Sequence, residues 1–94
     1  MNDVAATSAP RAPVRERLLA LIGQILDRPD ALQTLAADAP LSEAGMSSLK
    51  MVNLMLAVEG EFDLSIPQQD ITPENFRSVS SIEALLERLL KSTP

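Results

Sequence analysis

The hydroxyls of Ser47 and Ser48 are the side chains best placed for chemistry in this chain of 94 residues. They stand in Gly45-Met46-Ser47-Ser48-Leu49, directly before an apolar run that reads as a helix. A short side-chain oxygen just ahead of a helix accepts from its unpaired first N–H groups, and that place falls to Ser47. A hydroxyl one residue later lies in the first turn. There the free N–H groups and the helix dipole favour an attached phosphate. A phosphodiester on the Ser48 oxygen would be stabilised by that end, with its arm projecting into solvent. The chain need not activate the hydroxyl, because a separate transferase can supply base and metal.

The rest of the composition narrows the chemistry further. The chain has no Cys, His, Trp or Tyr. It therefore lacks the commonest general base and the strongest nucleophile, which argues against a self-sufficient hydrolytic or redox enzyme. Carboxylates such as Asp38, Glu43 or Glu59 are the remaining acid–base candidates, but nothing in the sequence pairs them, and no metal site is expected. Without Cys there is no disulfide framework. No apolar run approaches the roughly 20 residues that span a bilayer. Residues 1–10 have neither the basic start nor the apolar centre of a signal peptide. The expectation is a soluble, cytoplasmic monomer with no membrane partner.

Net charge is −5, and all of it lies in the middle. Residues 1–30 carry four charges of each sign and residues 71–94 carry three of each. Between them, Asp38, Glu43, Glu59, Glu61, Asp63 and Asp70 face Lys50 alone. Such a section repels nucleic acid and favours basic partner surfaces; the alternative is a solvated acidic face that aids solubility.

The elements that must hold the serines follow from periodicity. Residues 1–10 read as a disordered tail, residues 11–91 as one small domain, and residues 92–94 as a C-terminal tail. A first helix starts near Pro13 and stops near Asp27, ahead of Arg28-Pro29. Val14, Leu18, Leu21, Ile22 and Ile25 form its apolar stripe, widened by Leu19 and Leu26. A long connection over residues 29–46 follows, with Leu32, Leu35 and Leu41 turned inward and a helical turn near residues 31–36. The second helix covers about residues 48–61 and is apolar on two sides. Met51, Leu54, Met55, Val58 and Phe62 make one stripe, and Leu49, Val52 and Leu56 make another. A small bundle needs only one stripe for its core, so the second is a candidate partner surface beside Ser48. Leu64 and Ile66 point inward. Thr72-Pro73-Glu74 opens a short helix over residues 73–76. Ser80 and Glu83 form a capping box for a last helix to about Lys91, with Ile82, Leu85, Leu86, Leu89 and Leu90 inward. No strand signal is present. The fold class is all-α, a small four-helix bundle of three main helices and one short one.

Ser-Ser-Leu alone is a weak signal, but the longer pattern is specific. Gly45-Met46-Ser47-Ser48-Leu49 is followed by Val52, Leu54, Val58-Glu59, Glu61-Phe62-Asp63 and Leu64-Ser65-Ile66-Pro67. This gapless run over residues 45–67 resembles the phosphopantetheine-binding carrier proteins (acyl and peptidyl carriers). A looser match extends through Thr72-Pro73-Glu74-Asn75-Phe76 into the last helix. The register makes Ser48 the attachment serine and puts Ser47 where the family has Asp, an exchange that keeps the cap and removes one negative charge. Fatty-acid-type carriers line the second helix with carboxylates, whereas Lys50, Asn53 and Gly60 stand here. The run also looks like small stand-alone bacterial carriers, some of them charged with amino acids.

The resemblance implies a carrier, not an enzyme. It implies 4'-phosphopantetheine, taken from coenzyme A by a phosphopantetheinyl transferase and attached to Ser48. An acyl- or aminoacyl-loading ligase would then charge the arm, and a downstream transferase or synthase would take the cargo. Docking would use Leu49, Val52 and Leu56, with Lys50 and Glu59 at the rim. The alternative is a helical interaction module that binds a partner through the same apolar face without a prosthetic group.

Overall fold

The computed structural model describes residues 13–91, apart from the side chain of Leu32; the expected tails over residues 1–10 and 92–94 lie outside the described residues. Its elements are α1 (Val14–Leu26), a short α2 (Ala31–Thr34), a 3-10 turn (Leu41–Ala44), α3 (Ser48–Phe62), a second 3-10 turn (Gln68–Asp70) and α4 (Val79–Lys91). Among the described residues there is no strand. The all-α bundle of three main helices is as expected. The short helix is α2, in the long connection, where a helical turn was expected. Residues 73–76 form a single hydrogen-bonded turn instead of a helix. Thr72 closes it with its carbonyl to the Phe76 N–H and its Oγ1 to the Asn75 N–H. The chain cannot continue helically there, because Phe76 turns into the core and the next carbonyl, that of Arg77, accepts from the Leu41 N–H at 2.8 Å.

The core is one cluster. Leu18, Leu19, Ile22 and Leu26 of α1 meet Leu54, Val58 and Phe62 of α3 and Val79, Ile82, Leu85 and Leu86 of α4. In α1 the buried line runs through Leu19 and Leu26, whereas Val14, Leu21 and Ile25 are half-buried. All seven residues of the predicted stripe are thus in the core or packed against it, with the deepest line set by the packing of α1 against α2, α3 and α4. Leu90, expected inward, is exposed. α1 ends where expected, with Asp27 in the left-handed region and the Arg28 N–H returning to the Gly23 carbonyl at 2.7 Å. That tight return explains Gly23: a Cβ there would lie 2.7 Å from the Arg28 oxygen.

The cap of α4 differs from the expected Ser80–Glu83 box. The Ser81 N–H donates to Ser78 Oγ at 3.2 Å and the Ser78 N–H donates to Ser81 Oγ at 2.9 Å, a reciprocal box two residues earlier. Ser80 is occupied elsewhere. Its N–H donates to the Ala37 carbonyl and its hydroxyl to Asp38 Oδ1. Glu83 accepts from Arg15 of α1. Ser78→Ala is expected to cost about 1 kcal/mol, as for a lost helix cap. Ser80→Ala, at an exposed bond, should cost less. Urea denaturation of the two variants checks the order.

These contacts position the serines. Three bonds, from the Leu41 N–H, the Ser80 N–H and the Ser80 hydroxyl, tie the long connection to the start of α4. Leu41, the first residue of the 3-10 turn, and Met46, just after it, are buried. Gly45 then takes φ +102°, a left-handed conformation that favours glycine, and redirects the chain into α3.

Candidate functional site

Ser47 caps α3 as expected: its Oγ accepts from the Lys50 N–H at 3.2 Å and its carbonyl from the Met51 N–H at 2.8 Å. The N–H groups of Ser48 and Leu49 are left at the open helix end. Ser48 is exposed, and its hydroxyl has no hydrogen-bond partner among the described residues. The two serines therefore have different tasks: one is committed to the helix, the other is free.

Beside Ser48 runs a groove of about 610 Å³ between α3 and the segment after it. Met51 and Met55 form one wall, and Ile71, Pro73 and Phe76 the other. Arg77 is the one cation that lines it. The sequence reasoning did not assign this groove. Its signal was Ile71, an aliphatic residue between Asp70 and Thr72 with no place in any predicted stripe. An exposed hydroxyl, free N–H groups, the positive end of a 15-residue helix and an apolar wall alongside suit a phosphoester with a long, mostly neutral arm.

The two stripes of α3 separate cleanly. Leu54, Val58 and Phe62 are buried, with Met51 and Met55 packed against the core. Leu49, Val52 and Leu56 are 72%, 50% and 64% exposed. Lys50, about 100° round the helix from Leu49, is partly exposed. Glu59 is engaged inside the chain: its Oε2 accepts from the Ile66 N–H at 2.8 Å, fastening the segment that leaves α3. Glu61 is also held, accepting from Arg17 Nε at 3.0 Å, while Arg17 Nη2 bonds the Glu61 carbonyl and its guanidinium lies 4.4 Å from the Phe62 ring centroid. A cation at this helix end also suits the dipole.

Gly60 stands apart from the other two glycines. It has no positive φ, and a Cβ on it would meet nothing within 4 Å. Glycine within a helix costs about 0.5–1 kcal/mol relative to alanine, and no contact among the described residues requires it here.

Among the described residues no acidic group clusters into a metal site, and no helix is long and apolar enough to cross a membrane.

Comparisons with known proteins agree with this geometry. A family model described as the phosphopantetheine attachment site matches residues 16–89. Aminoacyl carrier protein 1 of Bradyrhizobium diazoefficiens is 45% identical over 73 residues, covering 78% of this chain and 81% of that protein. The aminoacyl carrier protein of Agrobacterium fabrum is 37% identical over 79 residues, covering 84% and 90%. Among solved structures, one chain of the Bradyrhizobium japonicum glycine:[carrier protein] ligase complexed with glycylated carrier protein matches at 46% identity and TM-score 0.63. The match covers 77% of this chain and 97% of that one. The holo acyl carrier protein of Nitrosomonas europaea matches at 25% identity and TM-score 0.75, covering 82% and 95%. Family model, relatives and fold agree, and the chain belongs to the phosphopantetheine-binding carrier proteins.

Proposed function

We propose that Ser48 bears the phosphopantetheine arm and that the cargo is an amino acid. As a family member the chain is a carrier and not itself a catalyst. When attached, the arm supplies a terminal thiol that holds the cargo as a thioester. The chain's own residues do the rest. Ser47 fixes the first turn of α3 and Gly45 aims it, while Ser48 presents a free hydroxyl to the phosphopantetheinyl transferase. Leu49, Val52 and Leu56 dock each partner, with the partly exposed Lys50 and Glu59 at the rim. A small apolar patch with a polar rim suits short-lived docking, which a shuttle requires.

The observation that carries the attachment site is the division between the two serines. The Ser47 oxygen is committed to the cap, and the Ser48 hydroxyl has no hydrogen-bond partner within the described residues. The aminoacyl cargo is supported by the named relatives and by the glycylated carrier protein among the similar structures. The partners are then a transferase, an amino acid-loading ligase and a downstream transferase or synthase. The holo protein, incubated with ATP, glycine and the B. japonicum ligase, should gain one glycyl group that hydroxylamine releases; the apo protein should gain none. Acceptance of a fatty acyl group from an acyl-loading ligase, with no amino acid accepted from any ligase, would contradict the aminoacyl cargo.

A further inference from the structure

Ser48 lies on the boundary between two faces of α3. At about 100° per residue, Met55 and Met51 fall roughly 20° and 60° to one side of it. Val52, Leu56 and Leu49 fall roughly 40°, 80° and 100° to the other. The two methionines wall the groove, and the other three residues form the exposed stripe. Both faces are apolar, so apolar contact alone does not choose between them for a group attached to Ser48.

The cations near Ser48 do discriminate. Lys50, two residues along the chain, projects about 160° round the helix from Ser48. Arg77 instead lines the groove together with Ser48. Its backbone is fixed there: its carbonyl accepts from the Leu41 N–H at 2.8 Å, and Pro40 and Ser42, on either side of Leu41, line the same groove. Arg77 is exposed, and its guanidinium has no hydrogen-bond or ion-pair partner among the described residues. The other described arginines are all engaged. Arg15, Arg17 and Arg88 pair with Glu83, Glu61 and Asp70, and Arg28 donates to Thr34 Oγ1. Glu74 also lines the groove, but it makes no ion pair with Arg77, so this cation is not neutralised from within the chain.

We infer that Arg77 is a positioning residue: its guanidinium receives the phosphodiester at Ser48 and biases the attached arm toward Met51 and Met55. The planar guanidinium fork matches two phosphate oxygens, and the pairing is charge-assisted. Leu49, Val52 and Leu56 are then left bare for a partner. This inference rests on attachment at Ser48 as proposed above, and it adds the residue of this chain that orients what is attached.

The test uses the full chain loaded with phosphopantetheine, with loading at Ser48 confirmed by mass spectrometry, and reads it by NMR without any partner enzyme. On loading, the Arg77 Nε–H resonance should move, whereas that of Arg88 should stay in place. Cross-peaks from the geminal methyls of the arm should reach Met51 and Met55 and be weaker to Val52 and Leu56. Arg77→Gln should cut the groove cross-peaks about twofold to threefold, the change expected from loss of an exposed charge pair. Arg77→Lys should retain part of them, because it keeps the charge and loses the fork. Added salt should weaken the groove cross-peaks of the parent and leave those of Arg77→Gln nearly unaffected. Apo Arg77→Gln should melt like the parent, because the side chain it replaces has no partner in the chain. An Arg77 resonance that does not move on loading would overturn the inference, as would undiminished groove cross-peaks in Arg77→Gln. Cross-peaks to Val52 and Leu56 in place of Met51 and Met55 would overturn the direction it assigns. Loading at Ser48 without these contacts removes this inference alone, whereas absence of phosphopantetheine on Ser48 removes the site beneath it.

Discussion

Ser48→Ala is expected to fold and melt like the wild type and to accept no phosphopantetheine. The hydroxyl it removes is exposed and makes no hydrogen bond among the described residues, so no buried group is left unpaired. Ser47 remains to cap α3, and alanine is at least as good as serine within a helix. Ser47→Ala should behave in the opposite way. Loss of the bond to the Lys50 N–H should cost about 1 kcal/mol, while the acceptor at position 48 stays in place and is still loaded. Thermal melts followed by circular dichroism, paired with intact mass after transferase treatment, read both properties. A Ser48→Ala protein that unfolds would show that this serine is a structural residue and would remove the basis for its assignment.

The second large effect separates two leucines of the same helix. Leu54 is fully buried between α1 and α4 side chains, and Leu56 is 64% exposed. Leu54→Ala removes buried methyl groups and leaves a cavity, at a cost of about 2–5 kcal/mol. Small domains are stable by only about 5–15 kcal/mol, so a large part of the total is lost. Each kcal/mol corresponds to roughly 4–8 °C in a domain of this size, and the melting temperature should fall by more than about 10 °C. Leu56→Asp should melt within a few degrees of wild type, because its side chain already faces water. Its defect should appear in ligase docking, where an unpaired carboxylate would have to be desolvated. Equal destabilisation by the two substitutions would place the second stripe in the core.

Much of this was legible in the sequence because it depends on neighbours along the chain. The cap by Ser47, the extent of α3, the stop of α1 before Arg28-Pro29 and the separation of two apolar stripes all follow from local spacing. What was not legible depends on distant groups. Ser78, Ser80 and Ser81 are all credible caps for α4, and the choice falls to Ser78 and Ser81 because residues 37–38 claim Ser80 and Arg15 claims Glu83. The short helix expected over residues 73–76 stops after one turn because Leu41 takes the Arg77 carbonyl. The order of burial within the α1 stripe was not legible for the same reason: Leu19 and Leu26 lie deeper than Val14, Leu21 and Ile25 because α1 packs against three neighbours. At the site, the serines and the exposed stripe were readable. The groove walls at Ile71 and Phe76, and the bond that holds Glu59 to Ile66, needed the return of the chain after α3.

Attachment of the arm at Ser48 can be read directly. The most direct test is peptide-level tandem mass spectrometry of the folded protein after incubation with coenzyme A, magnesium and a broad-specificity phosphopantetheinyl transferase. The expected result is a single phosphopantetheine on Ser48, none on Ser47, and none anywhere in Ser48→Ala. Attachment at Ser47 would contradict it, as would a folded protein that remains unmodified even when Ser47 is replaced by Asp.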